Sequence, residues 1–271
     1  MEKVNFSIKG KNIVFLGATS ILGKPVIKEL HSAGANLFLL DINKSALEEL
    51  KKELNNECEI YEANAMDKDS LTKIKDDIVA KAGKIDVLIN FVGGNMKSAT
   101  TSDELPFFDL PIEDLKKVLD LNLFGGAILS AQVFGKEMIK NENGGSIIHV
   151  SSMNAIRPLT RIPGYSAAKA AVDNFTKWLA TDIAMNFNKN IRVNSISPGF
   201  FLTVQNKFLL MDENDNLTDR GKTIINHTPM GRFGLPEEII GSIIFLISDA
   251  AKFITGTTII IDGGFSAFSG V

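Results

Sequence analysis

Short apolar runs rich in β-branched residues recur along the chain, and between them apolar positions fall at helical spacing. The runs Asn12–Gly17, Asn36–Asp41, Glu59–Ala63, Val87–Val92, Ser146–Ser151, Arg192–Ile196 and Thr257–Ile261 are predicted strands. Most are continuously apolar, the pattern of strands covered on both faces, as in a parallel sheet. Ala46, Leu47, Leu50 and Leu54 share one helical face, with Lys44, Glu48, Lys51 and Lys52 on the wet side, and Leu71, Ile74, Ile78 and Val79 repeat the pattern. Strand alternating with helix at this pitch predicts an α/β doubly wound parallel sheet of about seven strands, with helices on both faces and right-handed crossovers. No repeat, low-complexity tract or Pro/Gly/Ser linker divides the chain, so one domain spanning residues 1–271 is expected. Only Phe200–Gly234, with its polar run Asp212–Asp219, breaks the rhythm. It reads as an insertion over the strand ends, where such sheets bind ligands.

Composition narrows the picture. Against 29 Lys and Arg stand 32 Asp and Glu, a formal net charge of −3. That balance argues against a protein held to nucleic acid or an anionic membrane by bulk charge. The single cysteine, Cys58, forms no intrachain disulfide and fits a reducing compartment. The opening residues are interrupted by lysines, and the apolar stretch Ile239–Ile247 is too short to span a bilayer. A soluble cytoplasmic protein is expected.

Candidate chemistry begins where the first strand ends, in Gly17-Ala-Thr-Ser-Ile-Leu-Gly23-Lys24, before a helix predicted to start near Leu22. Gly17 permits a sharp turn, Gly23 lets the helix pack close to the sheet, and free N–H groups at the helix start suit a pyrophosphate. The bland alternative is an ordinary βα turn. Asp41 closes the second strand, where a carboxylate accepts hydrogen bonds from an adenosine ribose; the competing reading is a helix cap, with Asn43 nearby. A 2′-phosphate would meet this negative charge, and Ile42 follows in place of an arginine. NAD is therefore favoured over NADP, with Lys44 the nearest cation.

The most informative segment runs from Ser151-Ser152-Met153-Asn154 to Tyr165-Ser-Ala-Ala-Lys169. Tyr165 and Lys169 stand four apart at the start of an alanine-rich helix and so share a face. A phenol titrates near about 10 when unperturbed. A neighbouring ammonium and the positive ring of an oxidised nicotinamide would lower that value and make Tyr165 a usable acid or base. Ser152, past the end of a buried strand, is placed to hydrogen-bond the reacting oxygen. Alone, Tyr-x3-Lys is common on solvated helix faces; its weight comes from the company it keeps.

With the Gly17…Gly23 turn, Asp41, Asn90-Phe-Val-Gly93, Asn122, Ser152, Tyr165, Lys169, Pro198-Gly199 and Thr203, the chain resembles the short-chain dehydrogenase/reductase family from about Gly10 to Val271. The resemblance implies that Tyr165 gives a proton to a carbonyl and Ser152 polarises the same oxygen. Lys169 would tune the tyrosine and hold the nicotinamide ribose, and Asn122, in a long helix, would anchor a water of the proton relay. Cofactor contacts are implied for Gly17, Thr19, Ser20, Ile21, Leu22 and Gly23, then Asp41, Ile42, Asn64 and Ala65. Further contacts are implied for Asn90, Val92, Gly93, Tyr165, Lys169, Pro198, Gly199 and Thr203. The chain departs from the family at Leu16, Ile21, Asn64 and Phe91-Val92, where threonine, glycine, aspartate and Asn-Ala are usual. Of these, Ile21 adds bulk beside the pyrophosphate.

A narrower resemblance is to the D-mannonate oxidoreductases (fructuronate reductases) of this family. It is carried by Gly93–Thr101, Ser152–Thr160, Pro198–Asn206, His227–Gly234 and Asp262–Gly270. It implies NADH-dependent reduction of D-fructuronate, in a homotetramer as relatives often form. Other sugar acids, keto-gluconates or polyols are the rival substrates, a non-catalytic NAD(H) sensor is the rival class, and enoyl reduction is disfavoured. A sugar acid needs a local cation with amides and hydroxyls. Asn95, Lys97, Ser152, Asn154, Arg157 and Gln205 are the candidates, with Arg157 first and Lys97 second, against the alternative of solvated loop charges. His31, His149 and His227 lack paired-ligand spacing, and the alternation Asp212, Asn214, Asn216 lacks a calcium loop's glycine and glutamate, so no metal is expected. Phe175, Trp178, Leu179 and Ile183 form a stripe expected in the core or a subunit contact.

Overall fold

The computed structural model describes residues 4–204 and 206–270. Seven parallel strands form one sheet: β1 (Asn12–Leu16), β2 (Asn36–Asp41), β3 (Glu59–Glu62), β4 (Val87–Asn90), β5 (Gly145–Val150), β6 (Ile191–Pro198) and β7 (Thr258–Ile261). Their order across the sheet is β3-β2-β1-β4-β5-β6-β7, so the winding reverses between β1 and β4. A crevice opens at the carboxyl ends of such neighbours because the two connections leave in opposite directions.

Side chains alternate between the faces with the period of a strand. Ile13 and Phe15 join Leu37, Leu39, Val87 and Ile89 in one apolar layer. Val14 and Leu16 join Phe38, Leu40 and Leu88 in the other. Helices α1 (Gly23–Ser32) and α2 (Lys44–Glu53) cover the first face; Val26, Ile27 and Leu30 of α1 are fully buried there, each contributing about 1.5–3 kcal/mol. Helix α3 (Lys68–Ala82) turns Leu71 and Ile78 to the second face.

The helix Ile112–Met138 also lies on the second face and is, by length and composition alone, apolar enough to cross a membrane. Here it is a core helix: Val133, Phe134 and Met138 pack on the sheet. It begins as α4 (Ile112–Leu119) and ends as α5 (Lys136–Met138), with wider π-type turns over Asp120–Ile128 and Ala131–Gly135. Beside it α6 (Pro163–Asn186) starts with proline in its first turn, a position whose missing N–H costs the helix nothing.

The segment 200–234 contains α7 (Lys207–Leu210) and α8 (Asp219–Asn226) around a small core of Leu210, Ile224 and Phe233. A parallel bridge between Phe201 and Gly234 closes its base. At its tip Asp212 accepts the N–H groups of Asn214 and Asn216, a polar turn. Helix α9 (Ile240–Ile247) then completes the first face. The aromatic stripe of α6 divides: Ile183 is buried, whereas Trp178 is 58% exposed and stacks on Phe175.

Candidate active site

Two adjoining clefts lie at the carboxyl ends of β1 and β4. The first, about 380 Å³, is lined by Gly17, Thr19, Ser20 and Ile21 from the first turn, Asp41 and Ile42 after β2, and Asn64 and Ala65 after β3. Val92 and Gly93 complete it. The second, about 350 Å³, shares Ser20, Ile21, Phe91 and Gly93 and adds Leu22, Tyr165, Lys169, Gly199 and Thr203.

The first turn is shaped by what it cannot hold. Gly17 has φ +73°, and a Cβ there would come within 2.7 Å of the Phe91 carbonyl carbon. At Gly23 it would meet Ser20 Oγ at 2.5 Å and the ring of Phe15 at 3.1 Å, which is how this helix approaches the sheet so closely. Ile21 adopts no left-handed conformation, so its backbone does not require the glycine usual there. Asp41 does more than either expected role. Its carboxylate accepts the N–H of Thr19 at 2.9 Å and of Asn43 at 3.0 Å, while Asn43 itself caps α2 through the N–H of Ala46. Asp41 thus braces the first turn from the end of β2.

Around Gly93 the chain packs two polar side chains into a space that exists because the glycine has no side chain to fill it. A Cβ on Gly93 would lie 2.6 Å from Asn122 Oδ1 and 2.9 Å from Lys169 Nζ. Asn122 Oδ1 accepts the Gly94 N–H at 3.1 Å, and its Nδ2 donates to the carbonyls of Gly94 and Val118 at 2.6 and 2.8 Å. Taking the Val118 carbonyl from a main-chain donor fits the widened turn in which Asn122 sits, a feature frequent at functional sites. Lys169, 3% exposed, donates from Nζ to the Val150 carbonyl at 2.8 Å and stands 5.5 Å from the centre of the Tyr165 ring.

Burial pushes the Lys169 ammonium down to about 8, although the charge of Asp173 pulls it back up. Burial likewise raises the Tyr165 phenol, with a hydrogen bond from Ser152 pulling it down. The direction is opposite to the lowering expected from the ammonium and an oxidised nicotinamide together: in this geometry desolvation dominates and Ser152 is the group opposing it. Ser152 Oγ accepts from the Asn154 N–H and Nδ2 at 3.3 and 3.2 Å, leaving its own proton to donate. His149, beneath Lys169, is held neutral, pushed to about 3 by burial and then by the lysine's charge. Its Nδ1 bonds Thr176 at 2.9 Å.

Several expected contacts sit elsewhere. Asn90 is fully buried; its amide donates to the Gly125 carbonyl and Ser130 Oγ and its oxygen takes the Val92 N–H, so it supports the cleft from behind instead of facing it. Asn154 is buried and spent on Ser152 and the Leu159 N–H. Pro198 is buried at the end of β6, one residue short of the cleft wall. Asn95 turns its amide to Thr100, and Lys97 is exposed outside both clefts. Arg157 donates from Nη1 to the carbonyl oxygens of Phe265 and Phe268. Gln205 lies outside the described residues. Conversely Phe91, Phe200, Phe201 and Asn206 line the second cleft without having been singled out for it. Asn206 is recognisable only by its bonds, accepting the Thr203 N–H and donating to the Phe201 carbonyl to fold the loop after β6.

This arrangement can bind a dinucleotide along the sheet end and move a proton at an oxygen held near Tyr165. The sequence profile of the family described as Enoyl-(Acyl carrier protein) reductase matches residues 17–266. A Bacillus subtilis protein described as an uncharacterized oxidoreductase, UxuB, is 38% identical over 100% of both chains. The chain belongs to the short-chain dehydrogenase/reductase family. It is an NAD(P)-dependent oxidoreductase acting on CH–OH groups. A crystal structure from Haemophilus influenza, provisionally described as a D-mannonate oxidoreductase with bound NAD, superposes with a TM-score of 0.90 at 40% identity, covering 98% of each chain. The 2-dehydro-3-deoxy-D-gluconate 5-dehydrogenase of Escherichia coli is 32% identical over 97% of this chain and 98% of its own.

Proposed function

We propose that the protein interconverts D-fructuronate and D-mannonate using NAD(H). The observation that carries the catalytic part of this reading is the convergence of Asn122 and Lys169 on the side-chain-free space at Gly93, in a cleft that Tyr165 also lines. The residues fit the cofactor. Gly17, Thr19 and Ser20 line the cleft with Asp41, the braced Asp41 carboxylate suits a ribose diol, and its charge disfavours a 2′-phosphate. When bound, the nicotinamide supplies or accepts the hydride. In the reducing direction the Tyr165 hydroxyl gives its proton to the keto oxygen, while Ser152, oriented by Asn154, donates a hydrogen bond to the same atom. Lys169 stabilises the resulting phenolate, and a proton returns to it along a relay whose water Asn122 would anchor. Leu22, Gly199 and Thr203 close around the reacting end.

The sugar-acid substrate is supported by the similarity to the Haemophilus protein. The Escherichia coli relative favours a second reading, a keto-gluconate oxidised or reduced at C5. The insertion 200–234 covers the substrate in either case. Cytoplasmic location and a homotetramer complete the proposal. The test is NADH oxidation by the purified protein with D-fructuronate, other keto-hexonates and neutral ketoses. D-Fructuronate should give the highest kcat/KM; turnover of neutral ketones alone would remove the substrate and leave the fold.

A further inference from the structure

We propose that Arg161 and Arg220 clamp the substrate carboxylate, in a cavity whose outer wall Arg157 holds in place. The proposal rests on the sugar-acid reading above and identifies the cation that reading requires. A cavity of about 520 Å³ lies between the loop after β5 and helix α8. Three of the chain's five arginines line it, Arg157, Arg161 and Arg220, together with His227, and no aspartate or glutamate does. In a chain of net charge −3, that concentration marks a place for an anion. Phe200 lines this cavity and also the cleft of Tyr165 and Lys169, so the two share a wall.

The three arginines differ in what they have left to offer. Arg157 already donates to the carbonyls of Phe265 and Phe268, and Phe265 is itself a wall of the cavity. Its guanidinium ties down the chain's last described turn. Arg232 pairs with Glu238, and Arg192 is spent on the carbonyls of Leu246 and Ser248. Among the described residues, neither Arg161 nor Arg220 has an ion-pair partner. Both are nonetheless anchored through their backbones. The Arg161 carbonyl accepts the Thr101 N–H at 2.8 Å, and the residue immediately precedes Ile162, the cap of α6. Tyr165 leaves the first turn of that helix, so the proposed proton donor and the first cation are fixed to one helix end. Arg220 lies in the first turn of α8, which Thr218 caps through the Gly221 N–H at 3.1 Å. Two guanidinium groups from separate elements can each present paired N–H donors to one carboxylate, which a neutral ketose cannot exploit.

The test compares wild type with Arg161→Gln and Arg220→Gln, and with the lysine variant at each site, by NADH oxidation with D-fructuronate and D-fructose. Each glutamine variant should raise KM for D-fructuronate by about 10- to 100-fold, the range for losing a hydrogen bond to a charged group. NADH affinity and any D-fructose turnover should stay within about two-fold, and the lysine variants should recover part of the loss. An unchanged preference for the acid in both glutamine variants overturns the clamp while sparing the sugar-acid reading. Should wild type reduce no keto-hexonate, that reading fails, and calorimetric binding of D-mannonate to the enzyme–NADH complex decides the clamp separately. Binding lost in both glutamine variants upholds it; binding kept in them, or absent from wild type, overturns it.

Discussion

At Tyr165 two opposing effects are now separable: burial raises the phenol, and the Ser152 hydroxyl lowers it. Tyr165→Phe removes the proton donor but keeps the ring beside Lys169. It should leave NADH affinity within about two-fold in fluorescence titration and reduce kcat by at least 10²-fold, the scale of a lost general acid. Lys169 leads to a stability prediction with a definite sign. The folded lysine loses its proton near about 8 and the unfolded one near 10.5, so between those values the unfolded chain binds more protons and stability climbs with pH. Relative to Lys169→Met, cofactor-free wild type should gain about 2–3 kcal/mol between pH 7 and pH 10 in urea melts, at about 1.36 kcal/mol per pH unit. A constant gap between the two proteins would show that the folded lysine is not depressed. The residue types proposed for this site came from spacing and resemblance, and the fold brings Tyr165, Lys169 and Gly93 to one cleft. Their partners were not legible in the sequence. That Asn154 holds Ser152, or that Asn90 faces inward, depends on hydrogen bonds between groups whose spacing carries no period.

Among the elements, every strand was visible as an apolar run, and the errors fall at the ends for identifiable reasons. The sequence extends β4 to Val92, but the ladder stops at Asn90 because the Asn90 side chain takes the Val92 N–H. β6 runs on to Pro198, beyond the apolar run, since Ser197 and Pro198 still pair with Ile260 and Ile261. The widened turns at Asp120–Ile128 left no trace, because one extra residue per turn hardly disturbs an apolar helix already covered on most sides. Yet they set the position of Asn122, and Gly126 shows how tightly. A Cβ at Gly126 would lie 2.8 Å from the Val92 carbonyl oxygen. Gly126→Ala should therefore cost about 1–3 kcal/mol in denaturant melts and weaken NADH binding, because overpacking must push the Val92 strand end aside. Gly241→Ala on α9, which meets nothing within 4 Å, should instead gain up to about 1 kcal/mol from helix propensity.

For the whole molecule, charge and shape point to the same face. The chain is acidic, yet three of its five arginines gather beside the cleft at the sheet's carboxyl ends. KM for a keto acid should accordingly rise between 0.02 and about 0.5 M salt while that for a neutral ketose stays flat, since the screening length falls through about 10 Å at 0.1 M. Composition alone gave only the average charge; its segregation became visible once α8 and the loop after β5 were brought together. The insertion 200–234 was legible as a break in rhythm, but its helices α7 and α8 are too short for periodicity to declare them.

Arg157 has a corollary for the far end of the chain. Because its grip makes the last described turn a wall of the basic cavity, an acidic side chain introduced at Phe265 would compete with anionic ligands for the arginines there.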